Sequence, residues 1–416
     1  MPAPAHSAPS SGHGRSTRQL AIFGEMLPEI VFLARREPGF PALLQRRLGQ
    51  DRRFGSRDRR LYRALAYAAV RHLPWIEAAP AADRPALALW LAGAEPAVAA
   101  PRGEVLADWP PLPPTPAAQA ALLATRFGGS FSVEQLFPDW LAAETPALAN
   151  AARDQLLTRS PLWLRLQSPD SAAVDSWLQA EGIPSRTHPL LPEARALLVE
   201  TDLTRSPLYE AGAFEIQDLG SQLILALAAP APGGRWFDAC AGAGGKTLQL
   251  GRILGPAGRV DAFDIRPAAL AELRARSARA GLSNITTLAA PPPADHRYDG
   301  VLVDAPCSGS GTWRRSPHLR WQTTAADLRR HHERQLAILT QNAALVRPGG
   351  CLLYATCSLA RTENEGTVAA FLAAHPEFHA IPPAESFGCA TGEYGTAILP
   401  HVHDTDGFFA SILLRG

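Results

Sequence analysis

The chain has 416 residues, a net charge of +1 and a hydrophobic content of 46%, so it is long enough for two or three domains and has no strong uniform charge. It contains no apolar run of transmembrane length, and its Pro-, Ser- and Gly-rich start is unlike a secretory signal. Five cysteines without disulfide-framework spacing or a Cys-x-x-Cys pair are typical of a reducing cytoplasm. We expect a cytoplasmic protein without membrane association, and a monomer.

The N-terminal part is predicted to be helical. Residues 1–18 are expected to form a flexible tail and residues 19–157 a helical domain, because apolar residues recur at helical spacing up to about residue 91. An Ala- and Pro-rich connection over 78–118 is predicted to be irregular, apart from a short helix at 87–91. The domain is rich in arginine, which fits either a solvated helical face or a surface that contacts phosphates. These arginines are Arg46, Arg47, Arg52, Arg53, Arg57, Arg59, Arg60 and Arg63.

A small α+β unit is predicted over residues 158–208. It comprises a strand at Leu162–Leu166, a helix at 171–181 and a strand at 196–200. From residue 209 to the C terminus, strands and helices alternate, which predicts a doubly wound parallel sheet. The fold class is therefore α/β, preceded by the small unit and the helical domain.

Two predicted strands end in residues that can do chemistry. Val301–Val303 leads into Asp304-Ala-Pro-Cys307, and a second strand ends at Thr356 just before Cys357. Open α/β sheets bind ligands at the carboxyl ends of their parallel strands. We therefore expect both cysteines to face one pocket, although a structural Asp and a small buried Cys would also explain the first motif.

A glycine-rich loop, Asp238–Thr247, lies between a predicted strand and helix. It departs from a P-loop because position 240 is Cys where that motif needs Gly, and from a dinucleotide fingerprint because position 247 is Thr. Lys246 is the only lysine in a chain that otherwise uses arginine, which indicates a need for a compact ammonium group.

Two ligands remain open for this loop. A P-loop NTPase would use Asp304 to hold magnesium, but that hypothesis leaves the two strand-end cysteines unexplained. A nucleoside without a pyrophosphate is the other possibility, since the helix N-terminus suits a carboxylate and Asp264 suits ribose hydroxyls. S-adenosylmethionine has both features.

From about residue 162 onward, the chain resembles the RsmB/Sun (NOL/NOP/Sun) family of S-adenosylmethionine-dependent RNA cytosine-C5 methyltransferases. The Arg-rich helices more weakly resemble that family's NusB-like domain. The motifs that carry the resemblance, in chain order, are Gln217-Asp218-Leu-Gly-Ser221-Gln, the glycine loop, Asp264, Asp304-Ala-Pro-Cys307-Ser-Gly, Arg314-Arg315-Ser-Pro317, Thr356-Cys357-Ser with Glu363-Asn364, and Thr405-Asp-Gly-Phe-Phe.

The resemblance implies a Rossmann-like class I methyltransferase domain over 209–416, an RNA-binding α+β unit over 158–208 and an all-helical NusB-like RNA-binding domain over 19–157. It implies S-adenosylmethionine as the cofactor and RNA as the partner, with small-subunit ribosomal RNA as the expected substrate and 5-methylcytosine as the product. A catalytically idle RNA-binding or ribosome assembly protein is an alternative, against which the intact site residues argue.

The resemblance also implies roles for individual residues. Cys357 would attack the base, Cys307 would assist proton removal or product release, Asp304 would hydrogen-bond the base, and Lys246 would lie near the base and the methyl donor. No metal ion is implied. The implied cofactor contacts are Ala239, Cys240, Ala241, Gly242, Gly244, Gly245, Lys246, Asp264, Arg266 and Asp304.

One segment departs from the family pattern. Ala289–Ala294 stands where such methyltransferases usually carry an acid near the adenine, and Asp295 is not an evident replacement, so the adenine contact is unassigned. Further expectations are that Arg314 and Arg315 contact phosphates and that Trp313 and Trp321 either stack on bases or pack in the core. The other cysteines, Cys240, Cys351 and Cys389, are expected to be small buried residues.

Overall fold

The structure is a computed structural model that describes residues 13–93, 95–146, 148–167, 171–199 and 201–416. Its α-helices are α1 (His13–Arg36), α2 (Phe40–Gln50), α3 (Ser56–Arg71), α4 (Leu73–Ala78), α5 (Arg84–Leu91), α6 (Ala99–Val105), α7 (Pro116–Phe127), α8 (Trp140–Glu144), α9 (Asn150–Gln155), α10 (Ser171–Ala180), α11 (Pro207–Glu210), α12 (Leu219–Ala228), α13 (Gly245–Leu254), α14 (Pro267–Arg279), α15 (Leu319–Gln322), α16 (Ala325–Ala343), α17 (Glu365–Ala374) and α18 (Pro400–His403). Its strands are β1 (Leu162–Leu166), β2 (Ser185–Thr187), β3 (Ala194–Leu197), β4 (Phe214–Ile216), β5 (Arg235–Asp238), β6 (Arg259–Ala262), β7 (Ile285–Thr287), β8 (Tyr298–Asp304), β9 (Val346–Thr356), β10 (Phe378–Ile381), β11 (Ala390–Gly392), β12 (Gly395–Ile398) and β13 (Phe408–Arg415).

The chain forms two compact units, of which the first is helical. This helical unit comprises the described residues up to Leu141 together with Ser316–Thr323. Its helices bury one face each, and Phe23, Leu65 and Trp90 have no exposed surface. Helix α1 already begins at His13, so the expected tail over 1–18 is wrong from that residue onward, and residues 1–12 lie outside the described part of the chain.

The Ala- and Pro-rich connection is more helical than predicted. Helices α6 and α7 both lie inside or across the segment 78–118. Proline at the start of a helix removes an N–H that has no partner there, so Pro116 begins α7 instead of interrupting it. Thr115 caps the same helix by accepting a hydrogen bond of 3.3 Å from the Ala118 N–H.

The segment Ser316–Thr323 was predicted as part of the methyltransferase domain, but it packs inside the helical unit. The Arg320 guanidinium is 1% exposed and donates to the Arg71 and Leu136 carbonyls at 3.1 Å each. The Trp321 indole donates to the Val70 carbonyl at 2.7 Å. The expected boundary at residue 157 is therefore wrong on two counts, because the unit ends at Leu141 and recruits a distant segment.

The second unit contains a small antiparallel sheet with the strand order β2-β3-β1-β4. The prediction for β1 is confirmed residue for residue, whereas the strand predicted at 196–200 lies earlier, as β3 at Ala194–Leu197. Strand β4 pairs with β1 and so belongs to this sheet. The expected division after residue 208 is therefore wrong, since it separates β4 from its partner.

The second unit also contains a large mixed sheet with the strand order β11-β12-β13-β9-β8-β5-β6-β7, and β10 pairs with β13. Strands β5 to β9 are parallel, as predicted, and helices such as α13 and α14 connect them. The far edge differs from the prediction, because β13 runs antiparallel to β9 and carries β10 and β12 as antiparallel neighbours. This is a Rossmann-like sheet with an antiparallel edge.

The strand order defines where a ligand can bind. From β5 the chain moves outward through β6 and β7 and then returns to place β8 on the other side of β5. A crevice forms outside the carboxyl ends of the strands at such a reversal. The glycine loop follows β5 and Asp304 ends β8, so both lie at this crevice.

Among the described residues, no helix combines the length and the hydropathy that a membrane span requires.

Candidate active site

The two strand-end cysteines meet in the structure. Strands β8 and β9 are parallel neighbours in which Asp304 is level with Ala355, so Cys307 and Cys357 leave the sheet at the same end. The Gly311 N–H donates to the Cys357 carbonyl at 2.9 Å, which fixes one loop against the other. The two Sγ atoms are 3.3 Å apart. The structure therefore brings the two strand-end cysteines together.

The contact between the two thiols affects the protonation of Cys307. This contact, together with burial, raises the pKa of Cys307 well above its ordinary value. Its surroundings therefore favour the protonated form of the Cys307 thiol.

Lys246 and Asp304 form an ion pair beside the cysteines. The Lys246 Nζ atom lies 2.7 Å from Asp304 Oδ2, and the side chains are 8% and 34% exposed. Lys246 points there because it lies in the first turn of α13, directly above the end of β8. Its ammonium group also lies 5.6 Å from the Phe408 ring centre. A buried cation and a partly exposed carboxylate are therefore paired at the end of β8, three residues before Cys307.

The glycine loop has a backbone conformation that only glycine accepts without strain. Gly244 has φ +94°, and a Cβ atom there would lie 2.2 Å from Leu273 Cδ1 in the core. Gly242 has φ +53° and donates its N–H to Asp264 Oδ2 at 2.9 Å. A Cβ atom at Gly245 would have no heavy atom within 4 Å, so the crevice is open beside the N-terminus of α13.

Asp264 ends next to the glycine loop, as predicted. Burial alone would raise its pKa, but hydrogen bonds from Arg266 and from the Gly242 N–H outweigh this and hold the pKa below its usual value. Arg266 Nε lies 2.9 Å from Asp264 Oδ1, and its own side chain is 67% exposed. Asp264 is therefore an ionised acceptor at the rim of the crevice.

Two features near this loop were missed in the sequence. Arg276 on α14 donates to the Ala243 carbonyl at 2.7 Å and to the buried Glu215 carboxylate at 2.8 Å, so it ties the glycine loop to β4. Ile265 is 70% exposed, which is unusual for a large apolar side chain adjacent to a binding crevice. The clue for Ile265 was its position directly after Asp264, whereas nothing local indicated the long-range contact of Arg276.

The remaining cysteines do not join the thiol pair. Burial raises the pKa of Cys240 and of Cys351 to about 12 each, and that of Cys389 to about 11. Cys240 lies in the glycine loop with Ala239 and Ala241, where its cofactor contact remains a prediction. Cys389 is buried as expected, whereas Cys240 and Cys351 are only partly buried.

The Arg314-Arg315 motif serves two different purposes. Arg314 is 1% exposed and bonds to Asp404 at 2.7 Å and to the Thr405 carbonyl at 2.9 Å, so the expectation that it contacts phosphates is wrong. Arg315 is half exposed, pairs with buried Asp406, and lies within electrostatic reach of Cys357. Trp313 is fully buried, so it packs in the core and is not available to stack on a base.

The residues at the crevice fit S-adenosylmethionine better than a nucleoside triphosphate. Lys246 is held by Asp304, and the Thr247 hydroxyl donates to buried Asp238 at 2.7 Å. Neither side chain is therefore free for the phosphate and magnesium contacts that a P-loop requires of these positions. Burial raises the pKa of Asp238 to about 7, consistent with a structural acid behind the loop. The open helix N-terminus and ionised Asp264 remain for a carboxylate and ribose hydroxyls.

A Rossmann-like sheet, an open glycine loop and an acid ending the next strand define the class of S-adenosylmethionine-dependent methyltransferases. Residues 225–414 match the family described as 16S rRNA methyltransferase RsmB/F. The ribosomal RNA small subunit methyltransferase B of Xylella fastidiosa is 36% identical over 296 residues, which cover 68% of this chain and 70% of that protein. The chain belongs to this family of RNA methyltransferases.

Two further similarities agree with this assignment. The ribosomal RNA small subunit methyltransferase B of Yersinia pseudotuberculosis is 31% identical over 67% of this chain and 66% of its own length. The crystal structure of a methyltransferase homologue from Pyrococcus horikoshii has a TM-score of 0.58 and 25% identity, and it covers 70% of this chain and 97% of that protein.

Proposed function

We propose that the protein methylates C5 of a cytosine in small-subunit ribosomal RNA and uses S-adenosylmethionine as the methyl donor. The observation that carries this proposal is the 3.3 Å pair of Cys307 and Cys357 next to the Lys246–Asp304 ion pair. Methyl transfer to an amine or a hydroxyl group needs no thiol at the base, whereas methyl transfer to C5 of a pyrimidine does. The names of the bacterial relatives support ribosomal RNA as the substrate.

The thiol pair solves the central problem of this reaction. Cytosine C5 is a weak nucleophile, but addition of the Cys357 thiolate to C6 makes C5 electron-rich, so one difficult step becomes two easier ones. S-adenosylmethionine supplies an electrophilic methyl group to that carbon. A water molecule then accepts the C5 proton, the electron pair of that C–H bond returns to the ring, the S–C6 bond breaks, and Cys357 leaves as a thiolate.

Cys307 and the ion pair assist these steps. Because Cys307 keeps its proton 3.3 Å from the attacking sulfur, it can stabilise the departing Cys357 thiolate through its S–H group. Asp304 hydrogen-bonds the base while charge develops on the ring, and Lys246 holds that carboxylate in place at 2.7 Å. A cytosine in a duplex does not reach this site, so the target base is unpaired or flipped out.

The cofactor contacts that we propose are the loop residues Ala239–Gly245, with Lys246, Asp264, Arg266 and Asp304 near the donor. Asp264 accepts hydrogen bonds from the ribose hydroxyls, and the N-terminus of α13 faces the methionine carboxylate. The exposed Ile265 side chain packs against the adenine, which gives an apolar contact where Ala289–Ala294 offers no acid.

We also propose that the helical unit contributes phosphate contacts. Of the eight arginines between Arg46 and Arg63, four are exposed and have neither an ion pair nor a side-chain hydrogen bond within the described residues: Arg46, Arg52, Arg57 and Arg60. By contrast, Arg47 pairs with Glu29 at 3.1 Å and Arg53 pairs with Asp51 at 2.8 Å. Unpaired surface guanidinium groups suit the RNA backbone.

Two cysteine variants test the proposed reaction. With 16S rRNA and S-adenosylmethionine, Cys357→Ala is expected to give neither 5-methylcytosine by bisulfite sequencing nor a covalent RNA adduct. Cys307→Ala is expected to form an adduct that survives a denaturing gel, because product release is impaired. An adduct with Cys357→Ala but none with Cys307→Ala would reverse the two roles. Methylation at another atom by the wild-type protein would refute the cytosine-C5 assignment.

A further inference from the structure

A buried carboxylate lies behind the two cysteine loops and has no role in the reaction described above. Glu363 is in the turn between β9 and α17 and has no exposed surface. No lysine, arginine or histidine among the described residues pairs with it. Burial of a carboxylate destabilises the fold unless hydrogen bonds replace the lost hydration, so the donors around Glu363 indicate its structural role.

Four hydrogen bonds replace that hydration, and three of them come from the cysteine loops. Glu363 accepts from the Ser308 N–H at 2.8 Å, the Ser308 hydroxyl at 2.6 Å and the Ser358 hydroxyl at 2.5 Å, and from the Gln335 side chain at 3.1 Å. Ser308 directly follows Cys307, and Ser358 directly follows Cys357. One carboxylate therefore binds the residue after each thiol.

The same carboxylate is itself held rigidly. Gln335 on α16 also donates to the Pro306 carbonyl at 3.1 Å, one residue before Cys307. The Tyr354 hydroxyl, at the buried end of β9, donates to the Glu363 carbonyl at 2.6 Å. Because its donors come from the loops after β8 and β9, from Tyr354 on β9 and from Gln335 on α16, Glu363 fixes the two loops relative to the sheet as well as to each other.

We propose that Glu363 is a positioning residue that holds the Cys307 and Cys357 thiols at their working separation. The catalytic importance of Glu363 rests on the function proposed above. Its hydrogen bonds to Ser308 and Ser358, which we call the clamp, are present in the protein without RNA. The negative charge of Glu363 adds to the contact with Cys357 and to burial in raising the pKa of Cys307, so the clamp also favours the protonated form of that thiol.

The test combines a measurement of turnover with a measurement of the thiol separation. Glu363→Gln keeps the shape but replaces one acceptor oxygen with an NH2 group, so the Ser308 and Ser358 hydroxyls either lose their acceptor or must reverse to accept a weaker, uncharged hydrogen bond. Misplacement of reacting groups costs up to about 10²-fold in rate, so kcat should fall by about that factor. The affinity for S-adenosylmethionine should be unchanged, because the glycine loop is not altered.

Phenylarsine oxide reports the thiol separation without RNA. Its arsenic forms a bond to each sulfur of a close pair, and its oxygen leaves with the two thiol protons as water. The wild-type protein should bind it tightly, Cys307→Ala should lose that tight binding, and Glu363→Gln should be weakened several-fold. Wild-type arsenical affinity or wild-type kcat in Glu363→Gln overturns the proposal. If Glu363→Gln weakens arsenical binding but the wild-type protein does not methylate cytosine, the positioning role of Glu363 is supported and only the proposed function is refuted.

Smaller changes keep the test decisive if Glu363→Gln does not fold. Ser308→Ala and Ser358→Ala each remove donors to Glu363 and should each weaken arsenical binding. Ser411→Ala on β13 is the matched control, because Ser411 is fully buried and its hydroxyl has no partner among the described residues. Equal arsenical affinity in Ser358→Ala, Ser308→Ala and Ser411→Ala would overturn the proposal.

Discussion

Replacement of Lys246 should separate its chemical role from its structural one. Lys246→Met removes the ammonium group that lies 2.7 Å from Asp304 but keeps an unbranched apolar chain. Hydrogen bonds to charged groups contribute about 1.5–3 kcal/mol, and since Asp304 is one-third exposed and can rehydrate, we expect a loss of about 1–2 kcal/mol in unfolding free energy. Loss of a preorganised donor at a site of developing charge costs more, about 10²–10³-fold in kcat.

Lys246→Arg makes the prediction more specific. It keeps the positive charge, but the guanidinium group is planar and larger than an ammonium group. Because the Lys246 side chain is only 8% exposed, the guanidinium group does not fit into the same contact with Asp304. We expect normal folding and loss of most turnover. The assay is single-turnover methyl transfer to 16S rRNA, with S-adenosylmethionine affinity by equilibrium dialysis and a melting curve for each variant.

A matched control lies at the start of β8, the strand that ends at Asp304. Arg347 Nε is 2.7 Å from Asp299 Oδ1 near the start of β8, in an exposed ion pair far from the carboxyl end of the strand. Arg347→Met should change stability slightly and turnover hardly at all. Wild-type turnover in Lys246→Arg would refute the requirement for a compact ammonium, and equal losses in Lys246→Met and Arg347→Met would show that only strand stability had been measured.

Two further predictions concern ligand binding. Ile265→Ala should weaken S-adenosylmethionine binding by roughly 5–30-fold, because about 1–2 kcal/mol of apolar contact is lost. The control is Leu198→Ala, which removes another exposed apolar side chain and should leave the affinity unchanged. Equal affinities in the two variants would exclude Ile265 from the adenine contact. Glutamine at each unpaired arginine of the helical unit should flatten the log-log salt dependence of RNA binding by roughly 0.7 to 0.9, whereas Arg53→Gln should have a smaller effect because Asp51 already neutralises that side chain. An unchanged slope in folded variants would remove this face from the RNA-binding surface. The arginines to replace are Arg46, Arg52, Arg57 and Arg60.

The sequence predicts where the candidate site lies because the relevant residues end strands. Apolar runs identify β8 and β9, parallel neighbours share a carboxyl end, and the two thiols therefore had to approach each other. The same logic places Asp264 beside the glycine loop. Local patterns are sufficient here because the sheet converts positions along the chain into neighbours in space.

The supporting contacts could not be predicted, because they join residues that are distant in the chain. Ser308 and Glu363 are 55 positions apart, and Arg320 and Arg71 are 249 apart. Periodicity identifies an element but does not indicate which unit buries it, which explains why the segment Ser316–Thr323 was assigned to the wrong domain. Strand β4 was misassigned for the same reason, since a short apolar strand fits either sheet.

Motif membership alone does not decide whether a residue touches the substrate. Arg314 and Arg315 are adjacent, and the sequence suggests phosphate contacts for both, yet Arg314 is buried and bonds to Asp404 and the Thr405 carbonyl. Glu363 likewise belongs to a motif with Asn364 but lies behind the cysteines. Exposure and hydrogen-bond partners divide such motif residues into those that can meet the RNA, such as Arg315, and buried residues that support the fold or the site. Of the buried ones, Glu363 binds the residues that follow both thiols, so its substitution should alter the geometry of the thiol pair even when no RNA is present.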